Sequence, residues 1–129
     1  MVSVNENSKK VLDKISELIK RGDGYLKLNN DQTFMPLTAE ETEENVLSLC
    51  HYGEQNGDLM RDPEMLFWKD GKGNYSPFYY RNDYMGVERF AGEVLNNVLV
   101  ISDDREQSDQ TEFANTWLVN IRLQQGIQI

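Results

Sequence analysis

Val11, Leu12, Ile15, Leu18 and Ile19 recur at steps of one, three, three and one, which gathers them on one stripe of a 3.6-residue helix with lysines and acids opposite. Asn7 or Ser8 can cap its first turn and Lys20 and Arg21 suit the negative end of the helix dipole. Gly22 can take the left-handed conformation that closes it, so the spacing predicts a helix over about residues 8–21.

After Gly22-Asp23-Gly24 the period changes to two. Leu26 and Leu28 alternate with Tyr25 and Lys27 as in a half-buried strand, which Asn29, Asn30 and Asp31 stop. Residues 33–37 can pair back as an edge strand, because Pro36 lacks a ladder donor, and the run with Glu40, Glu41, Glu43 and Glu44 reads as a solvated loop or short helix. From Val46, alternation sends Val46, Ser48, Cys50 and Tyr52 to one face and Leu47, Leu49 and His51 to the other.

Asn56-Gly57 best tolerates the two positive φ angles of a type I′ turn, so the chain reverses there and returns along the previous strand. Pro63 marks a bulge or an edge in the returning strand, which resumes over 64–69. Residues 70–74 form a second hairpin loop, 75–80 an aromatic-rich strand, and 81–83 a third turn. Residues 85–95 fit a helical stripe, but Gly86 and Gly92 oppose a stable helix and a strand continues the pattern; Asn96-Asn97 then turns the chain into a strand over 98–101.

After the polar stretch 102–110, Asp109, Ser108 or Thr111 can cap a second helix that presents Phe113, Trp117, Leu118 and Ile121 and ends at Gly126. The expected fold class is α+β: an antiparallel β-meander of about five to six strands, with an N-terminal and a C-terminal amphipathic helix packed on one face of the sheet. Residues 1–129 read as a single domain, with 1–7 a flexible tail.

Composition narrows the function. Thirteen basic and twenty-two acidic residues give a formal charge of −9, which repels phosphate backbones; direct nucleic-acid binding is not expected, whereas a partner with a basic surface is compatible. Cys50 is the single cysteine and His51 the single histidine, too few for an internal disulfide or a four-ligand zinc site, and a cytoplasmic address fits. No apolar run approaches the ~20 residues that span a bilayer, so no membrane is expected.

The side chains able to do chemistry crowd around the Asn56-Gly57 turn. His51, Glu54, Asp58, Asp62 and Glu64 would suit magnesium, manganese or non-haem iron if they converged, but acids at a turn also serve solvation and local backbone hydrogen bonds. Spacing establishes no metal or cofactor. Cys50 and His51 point to opposite faces, which works against a nucleophile pair. Tyr75, Tyr79, Tyr80 and Tyr84 could form an aromatic surface that stacks on bases, but the acidic total argues against it, and tyrosines more commonly roof a core with their hydroxyls in water.

The block His51-Tyr-Gly-Glu-Gln-Asn-Gly-Asp-Leu-Met-Arg-Asp-Pro-Glu-Met65 and the block Tyr79-Tyr-Arg-Asn-Asp-Tyr-Met-Gly-Val87 resemble a family of uncharacterised bacterial proteins carrying a domain of unknown function. Its members are small single-domain proteins of plasmids, conjugative elements and phages. The resemblance implies a setting rather than a mechanism and brings no catalytic residues with it. The leading expectation is a non-enzymatic accessory protein of a mobile element, acting through contacts with another protein. Two alternatives stand beside it: an acidic nucleic-acid mimic that inhibits a host defence enzyme, motivated by the acid runs at 40–44 and 103–106, and a metal-dependent enzyme centred on His51.

Overall fold

A computed structural model of the chain describes residues 1–30 and 32–129. Asp31, expected to help stop the first strand, lies outside the described residues. The elements in order are α1 (Glu6–Arg21), β1 (Tyr25–Leu28), β2 (Leu37–Glu43), β3 (Val46–Gln55), β4 (Asp58–Lys69), β5 (Tyr75–Asn82), β6 (Val87–Phe90), β7 (Gly92–Leu95), β8 (Val98–Ile101) and α2 (Asp104–Gln125). Strands β1 to β6 form one antiparallel sheet in sequence order, and β7 and β8 form a separate two-stranded sheet. The fold is α+β, with the expected meander and the expected flanking helices.

Both helices cover the same face of the large sheet. Val11, Leu12, Ile15 and Ile19 of α1 and Ala114, Trp117, Leu118 and Ile121 of α2 meet Leu37, Ala39, Leu47, Leu49, Met65, Phe67 and Tyr75 in the main core. The β7–β8 hairpin packs Val94, Leu99 and Ile101 on the other face, against Val46, Leu66, Trp68, Phe78 and Tyr79. The sheet is thus covered fully on one side and only in part on the other.

Several boundaries depart from the sequence reading. Asn5, not Asn7 or Ser8, caps α1, its side chain accepting from the Ser8 N–H at 2.9 Å. Gly22 has φ −105°, and the left-handed positions are Asp23 and Gly24. Glycine is needed at 22 for a different reason: a Cβ there would sit 2.7 Å from the Tyr25 carbonyl oxygen. Residues 40–43 belong to β2 rather than to a loop or helix, because Leu37 and Ala39 alternate inward with Thr38 and Glu40 outward. The edge position falls to β1, while β2 is paired on both sides.

Residues 83–86 form the turn and 87–95 are extended, but the run breaks at Ala91, whose N–H bonds the Phe78 carbonyl while its own carbonyl accepts from Ser102 and Asp103. That break carries β7 off the sheet edge and onto the open face. Helix α2 begins at Asp104, capped by Asp103 rather than by Ser108, Asp109 or Thr111. Asn56 and Gly57 have φ 53° and 86°, as a type I′ reversal requires, and Gly126 ends α2 at φ 64°.

Residues 1–7, read above as a tail, contain the start of α1 and a docked segment before it. Val4 is buried and its N–H bonds the Tyr75 carbonyl, the Val2 N–H donates to Gln107 Oε1, and the Asn5 N–H donates to Asn115 Oδ1.

Candidate functional site

Helix-free backbone makes the open face of the sheet the place where polar groups meet solvent, and two bulges decide which side chains reach it. Opposite Cys50 and Tyr52, β4 carries an extra residue at Asp62-Pro63, a peptide bond in the cis form. Strict alternation would set Arg61 and Glu64 on opposite faces; the bulge puts both on the open one, where Arg61 Nε lies 3.4 Å from Glu64 Oε1. Ser48 Oγ also donates to Glu64, at 3.2 Å. In β5 a second bulge at Phe78 turns Phe78 and Tyr79 together toward the hairpin.

Between β7 and the sheet, Glu64, Phe78 and Tyr79 help line a cleft of about 550 Å³. Leu66, Phe78, Tyr79, Phe90 and Val94 supply an apolar bed, and Glu43, Glu64, Glu88 and Glu93 stand around it. Tyr79 donates its hydroxyl to Glu88 at 2.6 Å, and Arg81 lies 3.6 Å from the same carboxylate. Burial, then the Glu88 carboxylate, push the Tyr79 phenol up to about 12, so it remains a donor in neutral solution. Among the described residues, no basic side chain comes within ion-pair distance of Glu43 or Glu93.

The sequence-predicted polar cluster is dispersed. His51 is buried on the helix face, its Nδ1 3.0 Å from the Pro36 carbonyl and its ring edge-on to Trp117 at 5.6 Å. Since a carbonyl only accepts, Nδ1 carries the proton. Glu64 is on the opposite face, Glu54 and Asp58 are exposed at the β3–β4 turn, and Asp62 accepts from Asn82 Nδ2. Among the described residues no three His, Cys, Asp or Glu side chains are grouped to hold a metal ion.

The four tyrosines are also divided between faces. Tyr75 is buried under α1 with its hydroxyl donated to Asp13 at 2.8 Å, and burial above all holds that phenol above its ordinary range. Tyr80 meets Phe113 of α2 edge-on, Tyr79 faces the cleft, and Tyr84 is exposed with its hydroxyl against Gly53. Cys50 is buried on the open face, and burial followed by the nearby Glu64 carboxylate push its thiol up to about 12.

Sequence reasoning missed Asp83, Glu88, Phe90 and Glu93. Asp83 accepts from the Arg61 N–H at 2.8 Å and from Arg81 Nε at 2.8 Å, and its N–H returns to the Arg61 carbonyl. The signal that could have found the cleft is the outward repetition of exposed apolar residues, Phe90, Leu95, Val98 and Val100, around Glu88 and Glu93.

No helix among the described residues is long and apolar enough to cross a membrane. A family model described as "Domain of unknown function (DUF6908)" matches residues 6–127. No curated protein and no solved structure matches the chain.

Proposed function

Because the chain belongs to this family of domains of unknown function, its role has to be read from its own surface, and we propose that it is a non-catalytic protein-interaction domain binding a partner across the open face of the sheet. The carrying observation is the uncovered cleft between β7 and strands β4 to β6, a concavity of the size that takes ligand side chains and lined by both apolar and acidic groups. Register supports the same surface. Leu95 pairs with Val98 and Glu93 with Val100, so Leu95, Val98 and Val100 share the outer face of the hairpin. They are 49, 54 and 47 % exposed and share that face with Glu93, which lines the cleft.

The residues best suited to covalent or acid–base chemistry have structural surroundings instead. His51 holds the Pro36 carbonyl beneath Trp117, and Cys50 is a buried, protonated thiol. The resemblance of the two sequence blocks to proteins of bacterial mobile elements supports an accessory role in that setting, and the lone cysteine supports a cytoplasmic one. Placing a photo-crosslinking residue at Phe90 and, as a control, at Leu123 on the helix side tests the reading in the native host. A specific adduct at Phe90 and none at Leu123 is expected; equal labelling at both would refute it.

A second reading, mimicry of a nucleic acid, draws on Glu40, Glu41 and Glu43, held exposed along the extended β2. It requires competition with DNA for a basic enzyme and steep weakening with salt.

A further inference from the structure

Resting on that reading of the open face, we infer that the cleft receives arginine side chains from an extended basic segment of the partner protein. The cleft has two kinds of wall, both of which an arginine can use. Leu66, Phe78 and Val94 offer an apolar bed for an aliphatic stem, and Phe90, backed by the buried Tyr79, offers an exposed ring on which a guanidinium plane stacks. Phe90 is 61 % exposed although its ring lies 5.0 Å from that of Tyr79, so one side of this aromatic pair has no protein cover.

Charge selects the sign. Glu64 and Glu88 are each approached by an arginine of this chain, Arg61 and Arg81. Glu43 at the end of β2 and Glu93 on β7 are exposed, and among the described residues neither has a cationic neighbour within 4 Å. The charge on Glu64 and Glu88 is therefore partly neutralised and that on Glu43 and Glu93 is not, so the cleft keeps a net negative charge that favours a cationic side chain. The outer face of the hairpin sets Glu93 beside the exposed Leu95, Val98 and Val100, so an occupant alternating cationic and aliphatic residues fits better than a compact cation.

The test is titration of the full ¹⁵N-labelled chain with a twelve-residue peptide alternating Arg and Val, with its Glu-for-Arg counterpart, with an uncharged Ser/Val counterpart, and with spermidine. The Arg peptide is expected to shift the amides of Glu43, Phe90 and Glu93, and to bind about tenfold more weakly to E43Q/E93Q, a pair of exposed changes that leaves the core untouched. Unchanged affinity for E43Q/E93Q, or for the charge-reversed E43K/E93K, overturns the inference. If the Ser/Val or Glu peptide shifts the same amides equally well, the binding face stands and the cationic occupant falls. If spermidine matches the Arg peptide, the extended-segment assignment falls. If no probe moves the cleft amides, both the occupant and the face are refuted.

Discussion

Gln107 and Val2, 105 residues apart, are joined by a pair of hydrogen bonds resembling one rung of a β-ladder: the Val2 N–H donates to Gln107 Oε1 at 2.8 Å, and Gln107 Nε2 donates to the Val2 carbonyl at 2.7 Å. Gln107 is buried and also reaches the Pro77 carbonyl. Substituting Gln107→Leu keeps most of the volume and removes every one of these bonds. A loss of about 2–4 kcal/mol is expected in urea denaturation, with early proteolytic cleavage before Glu6. Gln107→Glu keeps the acceptor for Val2 and loses the donor, and its loss should be no smaller, because a carboxylate would face two carbonyls.

Cys50 should resist alkylation in the native protein. With its thiol pushed up to about 12 from 9.0, the thiolate population at pH 8 falls roughly a thousandfold, and the packed surroundings block the reagent's access as well. Mass spectrometry after iodoacetamide treatment should show an unmodified chain in buffer and a singly modified one in guanidinium. Rapid native labelling would contradict the buried position. Because the folded value is the higher one, this group favours the folded state fully below about pH 9 and loses that contribution as pH rises toward 12.

His51→Phe should fold, since the ring volume is kept, yet lose about 1–3 kcal/mol because the Pro36 carbonyl is left without its donor. His51→Ala should lose about 3–5 kcal/mol by adding a cavity beneath Trp117. Thermal melts with and without divalent cations check both the size and the nature of the effect. A stabilisation by metal that disappears in either variant would revive a metal role for this residue.

Asp83 makes the folded state sensitive to acid. Its carboxyl is held below the ordinary value of 3.8, first by the Arg61 N–H and then by the Arg81 guanidinium. The lower value belongs to the folded chain, so the contribution is complete above pH 3.8 and is lost as pH falls through that value toward the folded one. Asp83→Asn should melt below the parent at pH 7, and the gap between the two curves should close at lower pH.

What could be read from the residues depended on whether one period governed a segment. Helix α1 keeps one apolar stripe from Val11 to Ile19, and Asn56-Gly57 and Gly126 need positive φ angles that few residues allow. Helix α2 hides its first two turns, because the residues it buries there are Gln107, Gln110 and Thr111. Carboxamides that satisfy distant backbone look in a sequence like exposed polar residues. Strand β2 was masked by its glutamates, which outnumber its two inward residues, Leu37 and Ala39. The cleft was illegible for a geometric reason: the Asp62-Pro63 and Phe78 bulges break the parity that assigns side chains to faces, and the break at Ala91 moves β7 to the opposite side.

The strict sequence order of the six sheet strands bears on how the chain is made. Each strand finds its partner in the segment synthesised just before it, so pairing can advance with translation from β1 onward with little loop-closure entropy. The helix that completes the cover over Leu49, Met65 and Phe67 follows all eight strands. Until α2 has been synthesised, a half-roofed sheet leaves that surface open, and this is the interval in which the growing chain exposes most of its future core.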